Sequence, residues 1–559
     1  MSETEAQTTK KRTKKDDYIV QGSILAAAAV LTKIIGVVYR IPLTNILGDE
    51  GNGFYGYAYQ VYAIALMISS FSLPTAVSKL VSIRLAKRQR RNAFRVFICS
   101  LAFAIGVGLF ISLTIFLGAG LISTHLMKSP LSVYALRVLA PGLLIVAVMA
   151  VIRGYFQGMG NMIPTAISQV FEQIVNAVVS VIAAYELTVY GISISKMSKL
   201  GESAGPAYGA AGGTLGTLTG AIAALIVVVI VFWNSYGNIK KPVRKDKTKV
   251  EDSYATITKV IIFTITPVLI SSTIYNISNL LDNPIYGNIV TGIFDVSSKT
   301  RAELWGVYSA KYRVLTTMPI AIASSLSTAI VPAMVRSYIA KDKQGMENKV
   351  SLALKFSMLI AFPCGMGLSV LGGPINQLLF GDGSKRTATI MIFSLLTVVV
   401  FSLSTISNAI LQGIDKLNIP IKNSAISLVL HLIILPVLLI VFRLDIYAVV
   451  IGDITFGLTV SILNAFSIKK HMGYSHDLRE TFLRPFICSA AMGIMCYLAY
   501  WLTSKIIPIN ALCTLFAIMV AVIVYAVVLI ISGTVTENEL MSVPKGTMLI
   551  RLLKKVRLL

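Results

Sequence analysis

Acidic and histidine side chains are what this sequence has least of: 25 Asp and Glu stand against 50 Lys and Arg, with only His125, His431, His471 and His476. The five cysteines, Cys99, Cys364, Cys488, Cys496 and Cys513, are odd in number and scattered through apolar stretches, so no disulfide framework follows. No His/Cys cluster has ligand spacing, which argues against a metalloenzyme. There is no nucleophile elbow, phosphate loop, zinc signature or pair of catalytic carboxylates, so neither enzyme activity nor a cofactor is expected. A cleavable leader is not expected either: the segment after the polar, basic stretch Met1 to Asp17 is too long for a signal-peptide core and lacks a small-residue cleavage site, so it reads as a retained first span.

What the chain does have is apolar length. Of its 559 residues 55% are apolar and 13% charged, and mean hydropathy is +0.76. Apolar runs of roughly 20 residues recur along it, the length an α-helix needs to cross a bilayer in which backbone groups find no outside partner. The expectation is an all-α polytopic membrane protein of about fourteen spans. Their limits are 20–47, 54–85, 94–118, 131–156, 164–187, 207–234, 257–281, 304–335, 350–371, 388–411, 420–442, 446–468, 482–504 and 509–532.

A net charge of +25 invites a nucleic-acid partner, and its distribution argues against one. With the N-terminus in the cytoplasm, 35 Lys and Arg fall on the inner joints, 9 on the outer joints and 6 within spans. That is the positive-inside pattern, so the basic balance reports topology, with both termini cytoplasmic. The basic stretch KGTMLIRLLKKVRLL at the end has apolar and cationic residues at helical spacing and is expected to lie on the inner leaflet, a solvated helix being the alternative.

Two internal similarities set the domain plan. RGYFQGMGNMIPTAISQVFEQIV from Arg153 recurs as NAILQGIDKLNIPIKNSAISLVL from Asn408, pairing Gln157 with Gln412, Gly158 with Gly413 and Pro164 with Pro420. FYGYAYQVYAIALMISSFSLPTAVSKLV from Phe54 parallels LWGVYSAKYRVLTTMPIAIASSLSTAIV from Leu304, pairing Gly56 with Gly306 and Tyr62 with Tyr312. Parallel halves of this kind recur in secondary transporters, where substrate is held between lobes that rock about it. The expected plan is a basic N-terminus over 1–19, a six-span lobe over 20–237, a basic linker over 238–256 and a second six-span lobe over 257–470. Two extra spans over 471–532 and a cytoplasmic amphipathic tail over 533–559 complete it.

The six cations inside spans are Lys33, Arg40, Lys79, Arg137, Lys311 and Arg313; acids there are fewer, Glu172 and Asp453, with Asp282 near the end of span seven. A Lys or Arg at mid-membrane depth costs about 2.5 to 3.5 kcal/mol even on lenient scales, so it faces the bundle interior or a wet cavity. Lys33 and Arg40 are close to two helical turns apart and share a face. Two readings stay open for them, snorkelling or pairing within the bundle, and a cavity that receives an anion; the excess of cations favours the second. Lys79 and Arg137 are shallow enough to snorkel. Lys311 and Arg313, two apart, point to different sides of their helix, and Arg313 is favoured for the lumen. Asp282 is an interfacial carboxylate or a cation ligand. Pro42, Pro74 and Pro319, with Pro267 and Pro363, interrupt spans and are candidate hinges.

These stretches carry a resemblance. The opening TKIIGVVYRIPLTNILGDEGNGFYGYAYQVY, the LQG-type joints after spans four and ten, the NLLDN end of span seven and the YSAKYRVLTTMP start of span eight together resemble the MOP (multidrug/oligosaccharidyl-lipid/polysaccharide) exporter superfamily. Within it the chain is similar to the MurJ-type lipid II flippases of Gram-positive bacteria and to sporulation relatives of the stage V protein B type. The resemblance implies a V-shaped, MATE-like arrangement of two six-helix lobes with a lipid-tail groove formed by the two extra spans. It implies that undecaprenyl-diphosphate-linked peptidoglycan precursor is turned from the inner to the outer leaflet. The family's cavity cations match Lys33, Arg40 (shifted by one residue) and Arg313, and a family Asp associated with sodium binding matches Asp282. No counterparts for its ligands on spans eleven and twelve are identified.

The expectation is thus a monomeric flippase of the plasma membrane, working by alternating access with Lys33, Arg40 and Arg313, and less strongly Lys311, holding the diphosphate. Its partners would be lipid II, membrane lipids and cell-wall synthesis proteins, with sodium as a candidate coupling ion and no other metal. Alternatives are a flippase for another undecaprenyl-linked polymer, such as capsule, teichoic acid or spore cortex, and a multidrug/cation antiporter, which would place carboxylates in the first lobe.

Overall fold

The computed structural model describes residues 3–71, 73–196, 201–246, 252–322, 342–414, 416, 418–474 and 477–534, with side chains for these except 3–24, 26, 27, 29, 30, 71 and 267–280. The expected tail beyond 534 and the side chain of Pro267 lie outside that description. By packing, the chain divides into two units, Met1–Gly306 and Val307–Leu559. This border is set by contacts, whereas the lobes expected at 20–237 and 257–470 rest on the internal repeat.

The first unit is built from α1 (Glu3–Leu66), α2 (Leu73–Ala86), α3 (Arg90–Leu121), α4 (Val133–Gly158), α5 (Ile163–Ser193), α6 (Ala204–Arg244), α7 (Tyr254–Gly292) and α8 (Ser298–Gly306). The second opens on a π-helical turn, Val307–Tyr312. There follow α9 (Lys343–Val370), α10 (Gly372–Phe380), α11 (Lys385–Met391), α12 (Ser394–Gly413), α13 (Asn418–Ile440), α14 (Ile446–Met472), α15 (Arg484–Ile506) and α16 (Asn510–Ile531). No strand occurs among the described residues.

Eleven helices among the described residues are long and apolar enough to cross a membrane. That number differs from the expected fourteen for two visible reasons. The stretch Leu31–Ala86 counts once and covers expected span two with the latter part of expected span one. Expected spans seven and eight run over residues whose side chains or backbone lie outside the description. The helices expose large apolar side chains to their surroundings, as Phe110, Leu117 and Trp233 do at 71%, 76% and 80%. Such a surface suits lipid and would be costly in water.

The break in α1 is the local feature that matters most. Gly48 has φ 62° and ψ −179°, a conformation essentially restricted to glycine. Just beyond it, the Asn52 side-chain amide donates to the carbonyls of Thr44 at 2.8 Å and Gly48 at 2.6 Å, closing the turn. Arg40 and Tyr55 would be about 22 Å apart on a straight helix, yet the Arg40 Cζ lies 4.4 Å from the Tyr55 ring centre. The chain therefore doubles back at Gly48.

Glycines at four-residue spacing on α6 bring α5 against it. A Cβ on Gly212, Gly216 or Gly220 would sit within 2.6 Å of the carbonyl oxygen of Ala183, Asn176 or Glu172 respectively. This is the small-residue packing that lets membrane helices approach backbone to backbone. It fixes the face of α5 that carries Glu172, Gln173 and Asn176. The repeated Gln-Gly sequence ends α4 at Gly158 and α12 at Gly413, and its proline lies at the start of the next helix, Pro164 in α5 and Pro420 in α13.

Candidate anion site

In the first unit, Lys33 is exposed and Arg40 half-buried on the first arm of α1. Neither forms an ion pair among the described residues. The Arg40 guanidinium lies over the Tyr55 ring, and its Nε–H is enclosed without an acceptor. An aromatic face holds a cation in place without neutralising it. Across from this arm, the Asn176 amide of α5 donates to the Tyr39 hydroxyl at 3.4 Å, and Gln173 lies against Gly36, between Lys33 and Arg40. Pro42 is inside the helix and has no N–H to donate to the Val38 carbonyl one turn earlier. The result is a strip of two uncompensated cations and several neutral hydrogen-bonding groups, chemistry suited to a phosphate-bearing group.

Glu172 is one residue from Gln173 on α5, but it is engaged: Arg153 of α4 donates to it at 2.9 Å and to Ser168 Oγ at 2.9 Å. Arg153, assigned to an inner joint by its sequence position, is thus half of an ion pair, which leaves the charge asymmetry of the joints essentially unchanged.

The second unit treats its two neighbouring cations differently. Along the π-helical turn, Tyr308 donates to Asp453 of α14, Lys311 donates to Asp382 at 2.7 Å, and the Tyr312 hydroxyl is 2.6 Å from Thr397 of α12. Lys311 is buried and committed to Asp382, in the loop between α10 and α11. Arg313 begins the helical stretch 313–322; it is half-buried, with Cζ 5.8 Å from the Tyr308 ring centre. A π turn widens the helix by an extra residue and is frequent at functional sites; here it aims three consecutive polar contacts into the unit just before Arg313.

Asp282 is buried on α7, and beside it Asn283 donates to Gln60 of α1 at 2.9 Å. Lys79 and Arg137 are exposed. Pro74 stands at the second position of α2, directly after the π turn Met67–Phe71, and Pro319 is buried within the stretch 313–322. Among the described residues no group of three or more His, Cys, Asp or Glu could hold a metal ion.

The family model described as "Polysaccharide biosynthesis protein" matches residues 20–338, more than half of the chain. The chain belongs to that family. A second model, MatE, matches residues 267–437, and both families sit within the MOP superfamily. Among relatives of this polysaccharide biosynthesis family protein, the lipid II flippase MurJ of Bacillus subtilis (strain 168) is 25% identical over 507 residues, covering 86% of this chain and 87% of the relative. An uncharacterized membrane protein YabM of the same organism is 26% identical and covers 97% and 98%; stage V sporulation protein B, also from it, is 24% identical and covers 83% and 86%. A solved inward-closed structure of lipid II flippase MurJ superposes with TM-score 0.59 at 16% identity, covering 90% of this chain and 97% of that one. An inward-facing multidrug-resistance MATE transporter gives TM-score 0.61 at 15% identity over 79% and 94%. These likenesses establish an all-α polytopic membrane fold of the MATE and MurJ kind, a fold of transporters.

The family member also holds residues that its sequence conceals. Arg301 reads as an outer-joint cation but is fully buried: Nη2 donates to the Lys128 carbonyl at 2.6 Å, Cζ lies 4.9 Å from the Tyr57 ring centre, and Nε and Nη1 have no acceptor. Its Nη1 occupies the place a side chain at Gly287 would take. Asp382 and Tyr55 were equally hidden. Asp382 is 71 residues from its partner Lys311, and Tyr55 reads as one of several aromatics near a span end.

Proposed function

We propose that the protein flips an undecaprenyl-diphosphate-linked saccharide from the inner to the outer leaflet by alternating access, with peptidoglycan precursor (lipid II) as the substrate. The observation that carries this reading is the pair Lys33 and Arg40, two cations on one helical arm without a carboxylate partner. A diphosphate brings negative charge through a layer where bare charge is costly, and fixed cations lower that barrier. Arg313 is the third cation proposed for the diphosphate, on its match to the family pattern, whereas Lys311 is held by Asp382 and contributes less. Membrane potential drives the cycle, and sodium bound through Asp282 is the proposed coupling ion. The relatives named for lipid II flipping support the substrate, and α15 and α16 are the proposed groove for the lipid tail. The proposed location is the plasma membrane, with both termini in the cytoplasm, a reading supported by the positive-inside charge pattern.

Flipping of a different undecaprenyl-linked polymer precursor is the competing reading, because the relatives include a sporulation protein and an uncharacterized one at similar identity. Multidrug antiport is less well supported, since Glu172 is engaged by Arg153. Complementation of a strain lacking its lipid II flippase decides between the first two: rescue supports lipid II, and failure with correct membrane insertion favours another precursor.

A further inference from the structure

Arg40 is the first member of a row. Its guanidinium covers Tyr55, Tyr55 stacks on Tyr59 with ring centres 5.8 Å apart and planes 9° from parallel, and Tyr59 meets Tyr62 at 5.9 Å and 48°. Positions 55, 59 and 62 recur at helical spacing, so the three rings form one stripe on the second arm of α1. Tyr55 and Tyr62 are 2% and 4% exposed, but Tyr59 is 43% exposed. The stripe thus presents one accessible ring, flanked by buried ones that fix its position, next to the cation that the flippase reading assigns to the phosphate.

We propose that Tyr59 is the platform for the saccharide of the substrate, contacting a pyranose ring linked to the diphosphate at Arg40. This rests on the flippase reading and deepens it. A tyrosine ring face is electron-rich and attracts the positively polarised C–H bonds of a sugar face, while the hydroxyl and a carboxamide nearby serve the sugar hydroxyls. That carboxamide belongs to Asn176, bonded to the Tyr39 hydroxyl next to Arg40. The sugar is attached directly to the terminal phosphate, so a phosphate at Arg40 brings the ring within reach of Tyr59, one stacking step along the stripe. A tyrosine serving only as an interfacial anchor in lipid would not need to continue the stack that begins on Arg40.

The test uses the full-length protein in liposomes with two ligands, undecaprenyl diphosphate and the same lipid bearing its saccharide. Tyr59→Ala should weaken binding of the glycosylated lipid roughly tenfold and leave undecaprenyl diphosphate unchanged; Tyr59→Trp, which keeps an aromatic face, should restore the loss. Arg40→Ala should weaken both ligands. If Tyr59→Ala leaves the glycosylated lipid unaffected, or weakens both ligands equally, the platform is refuted while the flippase reading stands. If Arg40→Ala affects neither ligand, the flippase reading itself falls.

Discussion

The ammonium of Lys311 lies 2.7 Å from a carboxylate oxygen of Asp382, and the two side chains are 5% and 15% exposed. Asp382→Asn removes the carboxylate charge from beside that enclosed ammonium. Breaking a buried pair from one side costs about 3 to 5 kcal/mol, and the partial exposure of Asp382 places the expected loss at the lower end. Thermal unfolding in detergent measures it. The double variant Lys311→Met, Asp382→Leu, which removes both charges, should recover much of the loss; a double variant as unstable as the single one would contradict the assignment.

The same pair sets a pH dependence. Burial raises the Asp382 carboxyl, but hydrogen bonds from Lys311, Thr387 and the Ser384 N–H outweigh it and hold the group at about 2 against an ordinary 3.8. A carboxyl depressed on folding stabilises the folded state fully above the ordinary value and loses that contribution as pH falls through the depressed one. The stability gap between wild type and Asp382→Asn should therefore be full at neutral pH and shrink on acidification through 3.8 toward about 2. A gap that widens over that range would be incompatible with the geometry.

Gly48 should not tolerate a side chain. At φ 62° and ψ −179°, alanine costs about 1 to 3 kcal/mol in backbone strain. Because this residue reverses the chain, Gly48→Ala should also loosen Arg40 from Tyr55 and impair transport out of proportion to the loss of stability. Unchanged melting and unchanged transport together would count against the turn.

Much of this architecture is legible in the sequence alone. Apolar runs located the helices because lipid imposes a minimum apolar length on each, and the Gln-Gly and proline matches marked equivalent helix ends at Gly158 and Gly413. Lys33 and Arg40 stood out because charge inside a span is costly. Partners were another matter. Periodicity gives the face a residue occupies but not what lies opposite, so Asp382, Arg153 and Tyr55 could not be matched to Lys311, Glu172 and Arg40. The π turn at 307–312 also alters the helical spacing ahead of Arg313, and Arg301 lies near enough to a polar joint to pass for a surface residue.

Arg301 gives a prediction unlike that for most buried-residue changes: near-neutrality. Two of its guanidinium nitrogens are enclosed without acceptors, so the folded state carries a desolvation cost that Arg301→Met removes. That variant should melt within about 1 kcal/mol of wild type. Tyr57→Leu keeps the cation and deletes the ring beneath it, and should destabilise by about 2 kcal/mol or more. Reversal of this order in thermal unfolding would show that Arg301 is well satisfied by groups other than Tyr57 and the Lys128 carbonyl.

The central claim is that Lys33 and Arg40 hold the diphosphate of a lipid-linked saccharide, and liposome flipping with the purified protein tests it most directly. Lys33→Ala and Arg40→Ala, each inserted and folded as wild type, should lower the flipping rate by at least tenfold, the equivalent of about 1.4 kcal/mol. Lys33→Arg should retain most of the activity. Full flipping by both alanine variants would contradict the account.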